Sequence, residues 1–232
     1  MNNNQVFETY LFISRNKFII SVITSSNKEI YRDEFFLEEN LDYLISDKLN
    51  FFLNKNIFNI EKILNNFVEK IFVILEFDGF FSIKVSIKEN NYENTINVKN
   101  LNHLLYEAKD CCNKTIENRK IIHMVIENYQ IDKKNYSSLP RDINGNAFSI
   151  DINIICISDK MIKDLEIMLS KYQISLTQVV SAQYVNKYVL NEKNIVFAAK
   201  KIISGHNSNE VRLIKKTDKN EGFFEKFFNF FN

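Results

Sequence analysis

Three features of this sequence predict an α+β fold in two parts. β-branched and aromatic runs fill residues 6–36, the apolar period turns helical from Leu41 to about Leu75, and a second set of strands and helices follows the polar stretch Glu89–Asn94. With 232 residues, 45% of them apolar and 25% charged, the chain can bury one good core or two small ones.

The runs Phe7–Ile13 and Phe18–Ile23, separated by the polar turn Ser14–Lys17 and followed by the turn Ser25–Lys28, predict an antiparallel meander of three strands. Leu41, Leu44, Ile45, Leu49, Phe52 and Leu53 make one helical stripe; Ile60, Ile63, Leu64, Phe67, Val68 and Phe72 make another, so two helices are expected there. Phe80–Ile87 alternates with period two, as a half-buried strand does. Beyond Asn94 the pattern predicts a helix over 99–115, a strand Lys120–Gln130, and a polar loop with Pro140 and the turn signal Asn144–Gly145. A facing strand Phe148–Ile157, a helix capped by Ser158, a short strand near Gln178–Val180 and a helix from Ser181 follow. Residues 204–220 read as a polar tether in which Val211, Leu213 and Ile214 could add an edge strand.

Thirty basic and twenty-nine acidic residues leave a net charge of +1, which supplies no general attraction to nucleic acid. Three cysteines, two of them adjacent (Cys111 and Cys112), form neither a disulfide framework nor a zinc spacing and fit a reducing, cytoplasmic compartment. No secretory leader and no run of about 18 apolar residues is expected. Only four glycines and one proline are present, too few for the glycine-rich loops that bring backbone amides to phosphate, so no cofactor and no enzymatic activity is expected. His103, His123 and His206 lie far apart, and Asp132, Asp142 and Asp151 keep no calcium-loop register; both sets read as structural or solvated, with no metal site.

The most informative stretch is Glu221–Asn232. At 100° per residue, Phe223, Phe224, Phe227, Phe228, Phe230 and Phe231 fall in an arc of roughly 160°, while Glu221, Gly222, Glu225, Lys226, Asn229 and Asn232 fill the rest. Such a helix is too short to span a bilayer and is suited to lie in its interface, rings among the acyl chains and Lys226 toward the head groups. Lys215 and Lys216 precede it and would meet anionic lipid. Docking of the rings on the chain's own core, or in another protein's groove, is the alternative.

The strand Ile121–Val125 with His123, then Tyr129–Asp132, then Pro140, Gly145 and Phe148 at their spacing, is similar to a pattern of the FtsA cell-division family. Ile150–Ile157 and Gln178–Tyr184 resemble that family's passage from its inserted domain back to its actin-like lobe, and Leu11–Lys17 resembles its first phosphate loop, with Phe12 in place of Asp and Ser14 in place of Gly. Asp142 stands where the family's turn has a glycine, and Ile126 where it has a proline. The resemblance implies a partial actin-like (ribonuclease H-like) lobe over 1–88 and 178–204, an inserted small α+β domain over 89–177, a linker over 205–220 and the amphipathic helix over 221–232. A second nucleotide-binding lobe has no counterpart in this sequence. The implied function is a non-enzymatic adaptor at the cytoplasmic face of the inner membrane, at the division site. Its implied partners are membrane lipid, FtsZ or later division components, and other copies of itself. Related actin-like adaptors of pilus assembly, the PilM proteins, share this layout and form the alternative, as does a degenerate nucleotide-binding protein.

Overall fold

The computed structural model of the protein describes residues 6–40, 43–140 and 143–212. In chain order these residues form β1 (Phe7–Ser14), β2 (Lys17–Thr24), β3 (Glu29–Phe36), α1 (Asp47–Leu64), β4 (Lys70–Glu76), β5 (Phe81–Asn90), α2 (Val98–Thr115), β6 (Arg119–Ile131), β7 (Lys134–Tyr136), β8 (Ala147–Ser158), α3 (Asp159–Ser170), β9 (Ser175–Ser181), α4 (Ala182–Tyr188) and α5 (Ile195–Ile203). Among the described residues this is a mixed α/β structure of two sheets and five helices. The described residues divide into a first unit, up to Phe80 and from Ser158 to Asn207, and a second, from Phe81 to Ile157 and from Ser208 to Arg212.

In the first unit the meander is as the turns predict: β1 pairs antiparallel with β2 and β2 with β3. β4 then lies parallel to β1, and β9 parallel to β4, giving the order β3-β2-β1-β4-β9. Leu11, Ile13, Phe18, Ile20, Ile71 and Leu75 are fully buried, and each such side chain contributes about 1.5–3 kcal/mol by leaving water. α1 covers the face that carries Phe18 and Tyr31: the Phe18 and Phe52 rings lie 5.8 Å apart, and the Tyr31 hydroxyl donates to Asn56 Oδ1 at 2.5 Å. α5 packs against β1 from the other face, where Lys200 pairs with Glu8. No helix among the described residues is long and apolar enough to cross a membrane.

The expected second helix through Phe72 is not there. α1 starts at its cap Ser46, whose side chain accepts from the Leu49 amide at 3.4 Å, and runs as one helix to Leu64; Asn65 then takes a left-handed conformation (φ 49°). Ile71–Leu75 are mostly buried because β4 sits between two parallel neighbours and under helices, so the segment is apolar on both faces and its run fits a helical period as well as a strand.

In the second unit the sheet order is β5-β8-β6-β7. β5 and β8 pair antiparallel from Phe81 opposite Cys156 to Asn90 opposite Ala147. One face, with Phe148, Ile150, Ile152 and Ile154, packs on Leu101, Leu104, Leu105 and Ala108 of α2. The other face is polar: Ser82 bonds Asn153 at 2.6 Å, Asn128 reaches Asp151 at 3.0 Å, and Lys84 pairs with Glu127 at 3.1 Å. The β6–β7 turn uses Asp132 and Lys133 at positive φ, and the Asp132 carboxylate takes the Asn146 and Ala147 amides at 3.0 and 2.9 Å.

The units divide at 80/81 and 157/158, where the sequence suggested 88/89 and 177/178. Hydrogen bonding explains the difference. β5 pairs with β8 and so belongs to the second sheet, whereas β9 pairs with β4 and draws α3 into the first unit. Glu89–Asn94 is likewise not the boundary expected, since the side chain of buried Asn91 donates to the Gly145 carbonyl at 3.1 Å and its backbone amide to the Asn146 carbonyl at 2.7 Å. The start of the expected tether is an edge instead. The Val211 amide donates to the Met124 carbonyl at 2.8 Å and the Ile126 amide to Asn209 at 2.9 Å, so residues 209–211 add an edge to β6. Leu213 and Ile214 lie outside the described residues.

Candidate functional site

Every residue that the sequence singled out for membrane contact, Phe223, Phe224, Lys226, Phe227, Phe228, Phe230 and Phe231, lies outside the described residues. Asp142 does as well. The structure instead offers a cavity in the first unit that composition did not suggest.

The carboxyl ends of β1, β4 and β9 lie side by side, with Ser14 opposite Glu76 and Leu75 opposite Ser181. Ligand sites of open α/β sheets form beyond that edge. A cavity of about 650 Å³ opens there, with Phe12 of β1 and Ile19 of β2 forming its apolar floor. Lys17 enters from the start of β2 because the β1–β2 turn is tight: the Ser14 hydroxyl accepts from the Lys17 amide at 3.0 Å, closing the hairpin on itself. The Lys17 ammonium sits 5.7 Å from the centre of the Phe12 ring and 5.4 Å from that of Phe36, a cation held by two aromatic faces.

β3 places Arg32 in the wall. Glu34 and Glu29 hold its guanidinium at 2.5 and 3.2 Å, and Asn194 Oδ1 lies 3.4 Å away. Asn194 also caps α5 by accepting from the Val196 amide at 3.0 Å, which fixes that side of the cavity together with Lys193 and Asn186. Further along, Lys201 and the Asn194 amide hold the Glu192 carboxyl below the usual range. Beside the cavity, burial and then the Glu8 carboxylate push the Tyr10 phenol far above its ordinary value.

The lining therefore presents the cations Lys17 and Lys193, the carboxylate-paired Arg32, the amides of Asn16, Asn186 and Asn194, two ring faces, and the single carboxylate Glu76. That chemistry suits holding an anionic group. Among these lining residues no pair of carboxylates and no nucleophile beside a base is assembled for general acid–base or covalent work. The sequence did carry a signal for this site: alternation along Glu29–Phe36 puts Arg32, Glu34 and Phe36 on one face, and Lys17 closes the first turn.

His103, His123 and the three cysteines lie in the second unit. The His123 ring and the Glu210 carboxylate, 0% and 4% exposed, lie 2.7 Å apart. His103 rests 3.0 Å from Glu89 on the α2 surface. Cys111 is exposed, while Cys112 and Cys156 are buried, and burial followed by the neighbouring Cys112 pushes the Cys156 thiol up to about 11. Among the described residues no group of three His, Cys, Asp or Glu side chains could hold a metal ion.

The sequence matches no protein-family model and no curated protein. Among solved structures it is similar to a chain of a PilM–PilN type IV pilus biogenesis complex, at 7% identity and a TM-score of 0.48, over 80% of this chain and 50% of that one. It is also similar to the cytoplasmic domain of EpsL, an inner membrane component of the type II secretion system of Vibrio cholerae, at 9% identity and a TM-score of 0.38, over 77% and 59% of the two chains. A Bacteroides thetaiotaomicron protein of unknown function, described as having an actin-like ATPase fold, matches at 15% identity and a TM-score of 0.30, over 79% and 57%. The chain thus spans between half and three fifths of the length of the solved structures it resembles.

Proposed function

We propose that this chain is a non-enzymatic adaptor, held at the cytoplasmic face of a bacterial inner membrane by residues 221–232 and presenting its folded units to protein partners. The observation that carries the reading is the complete segregation of six phenylalanines from the polar residues in Glu221–Asn232. Each ring that enters lipid contributes about 1.5–3 kcal/mol before the cost of ordering a short helix. Modest, reversible attachment follows, which self-association would strengthen through multivalency.

The first unit fits the body of such an adaptor. Its order β3-β2-β1-β4-β9, with β2 alone running against the other four strands, corresponds to a ribonuclease H-like, actin-like lobe, and the second unit to a domain inserted in it. A role without nucleotide hydrolysis is supported by Phe12 and Ser14. The ring fills the floor where the sequence resemblance implies an aspartate, and the hydroxyl already takes the Lys17 amide.

Co-sedimentation with anionic liposomes tests the proposal. The full chain is expected to pellet, and a variant with Phe223→Glu, Phe227→Glu and Phe230→Glu to lose most of that binding; equal pelleting of the two contradicts it. Titration calorimetry with ATP and magnesium is expected to give no binding heat. The similarity of Ile121–Val125, Tyr129–Asp132 and Pro140 to FtsA proteins supports a division machine as the setting. A fluorescent fusion at midcell agrees with that setting, and polar or diffuse placement speaks for a pilus-type adaptor instead.

A further inference from the structure

We infer that the outer face of α1 is a second membrane-contact surface, one that lays anionic lipid against the first unit independently of residues 221–232. Lys48, Phe51, Lys55, Phe58 and Lys62 recur at helical spacing and fall within an arc of roughly 80°, so cations and rings alternate along one line of the helix. All five are exposed, Phe51 by 70% and Phe58 by 69%. Both acids of the helix, Asp47 and Glu61, fall outside the arc; Asp33 of β3 reaches Lys55 at 3.3 Å, and the stripe keeps a net positive charge.

The row continues past the helix. Phe67, 75% exposed, stands across from Phe58, and between the two rings an open groove of about 440 Å³ has Ile57 and Val68 at its base. Glu61, Glu69 and Lys171 also line this groove, so the positive charge of the surface comes from the α1 stripe and not from the groove.

The choice of lipid over protein follows from the company the rings keep. Protein interfaces deplete lysine at their centres, whereas interfacial membrane helices combine apolar rings with lysines that extend to the head groups. An 18-residue helix offers about 27 Å of such a surface, parallel to a bilayer. This assignment rests on the adaptor reading for the presence of a membrane, and on α1 alone for the surface.

The test uses the full chain, vesicles of phosphatidylcholine alone or with phosphatidylglycerol, and circular dichroism to confirm folding. The chain with Phe223→Glu, Phe227→Glu and Phe230→Glu is expected to retain weak, salt-sensitive binding to the phosphatidylglycerol vesicles only. Adding Lys48→Glu and Lys62→Glu should remove it, at about fivefold per lysine lost. Phe51→Ser with Phe58→Ser, otherwise unaltered, should weaken binding of the natural tail severalfold. The inference is overturned if the tail variant binds no vesicle and the α1 variants bind as the unaltered chain does. It is also overturned if the α1 lysine changes leave lipid binding intact but abolish capture of an acidic polypeptide such as polyglutamate. Full binding by the tail variant, lost on changing α1, would contradict the tail reading while supporting this one.

Discussion

His123 and Glu210 join the last described segment to β6 by a pair of buried side chains, 0% and 4% exposed. Glu210 Oε2 is buried with no hydrogen bond among the described residues, and Arg212 approaches only to 4.0 Å. Replacing His123 by Leu leaves a buried carboxylate without its main partner, and we expect a loss of about 3–5 kcal/mol in urea unfolding; a loss below about 1 kcal/mol would show that the pair does not bear on stability. The cysteines separate by burial. Cys111 should react with a thiol reagent in the native protein, and Cys156, pushed up to about 11 by burial and then by Cys112, should react only on unfolding. Because the folded thiol holds its proton more tightly than the unfolded one, its contribution to stability is complete below pH 9 and is lost as the pH rises toward about 11. Melting temperatures over that range, compared with those of Cys156→Ala, check the sign.

Secondary-structure elements show which signals in the sequence were readable. The meander was legible because two tight polar turns separate β-branched runs, and the α2, α3 and β8 segments because their caps and periods agree. β4 was not, because a strand buried on both faces loses the alternation that marks strands. At Gly145 φ is not positive, but a Cβ there would sit 2.4 Å from Ile131 Cγ2, so the glycine answers a close approach rather than a left-handed turn. The union of β3 with α1 could not be read from sequence, since Tyr31 and Asn56 stand 25 positions apart. Asn56 is fully buried, donates to the Phe52 carbonyl at 2.8 Å and accepts from Tyr31. Tyr31→Phe is therefore expected to cost about 1–3 kcal/mol by leaving that amide oxygen unsatisfied, measured by denaturant unfolding; an unchanged midpoint would mean that water replaces the hydroxyl.

At the scale of the whole molecule, the chain builds two units from interleaved segments; the first holds a cationic, ring-lined cavity and a lysine–phenylalanine helix face, and the second holds residues 208–212, which lead toward residues 221–232. The cavity was only half legible: its residues come from four strands and the α4–α5 region, and convergence of that kind is a property of strand order, not of local pattern. The residues proposed for membrane contact are read from periodicity alone, and the central claim stands on them. The protein contains no tryptophan, so Phe227→Trp gives a single fluorescent reporter in the full chain. The account predicts an emission typical of exposed indole in buffer, shifting to the blue on addition of anionic vesicles and quenched by lipids brominated along their acyl chains. Emission already blue without vesicles, or unmoved by them, would place the rings elsewhere than in lipid and contradict it.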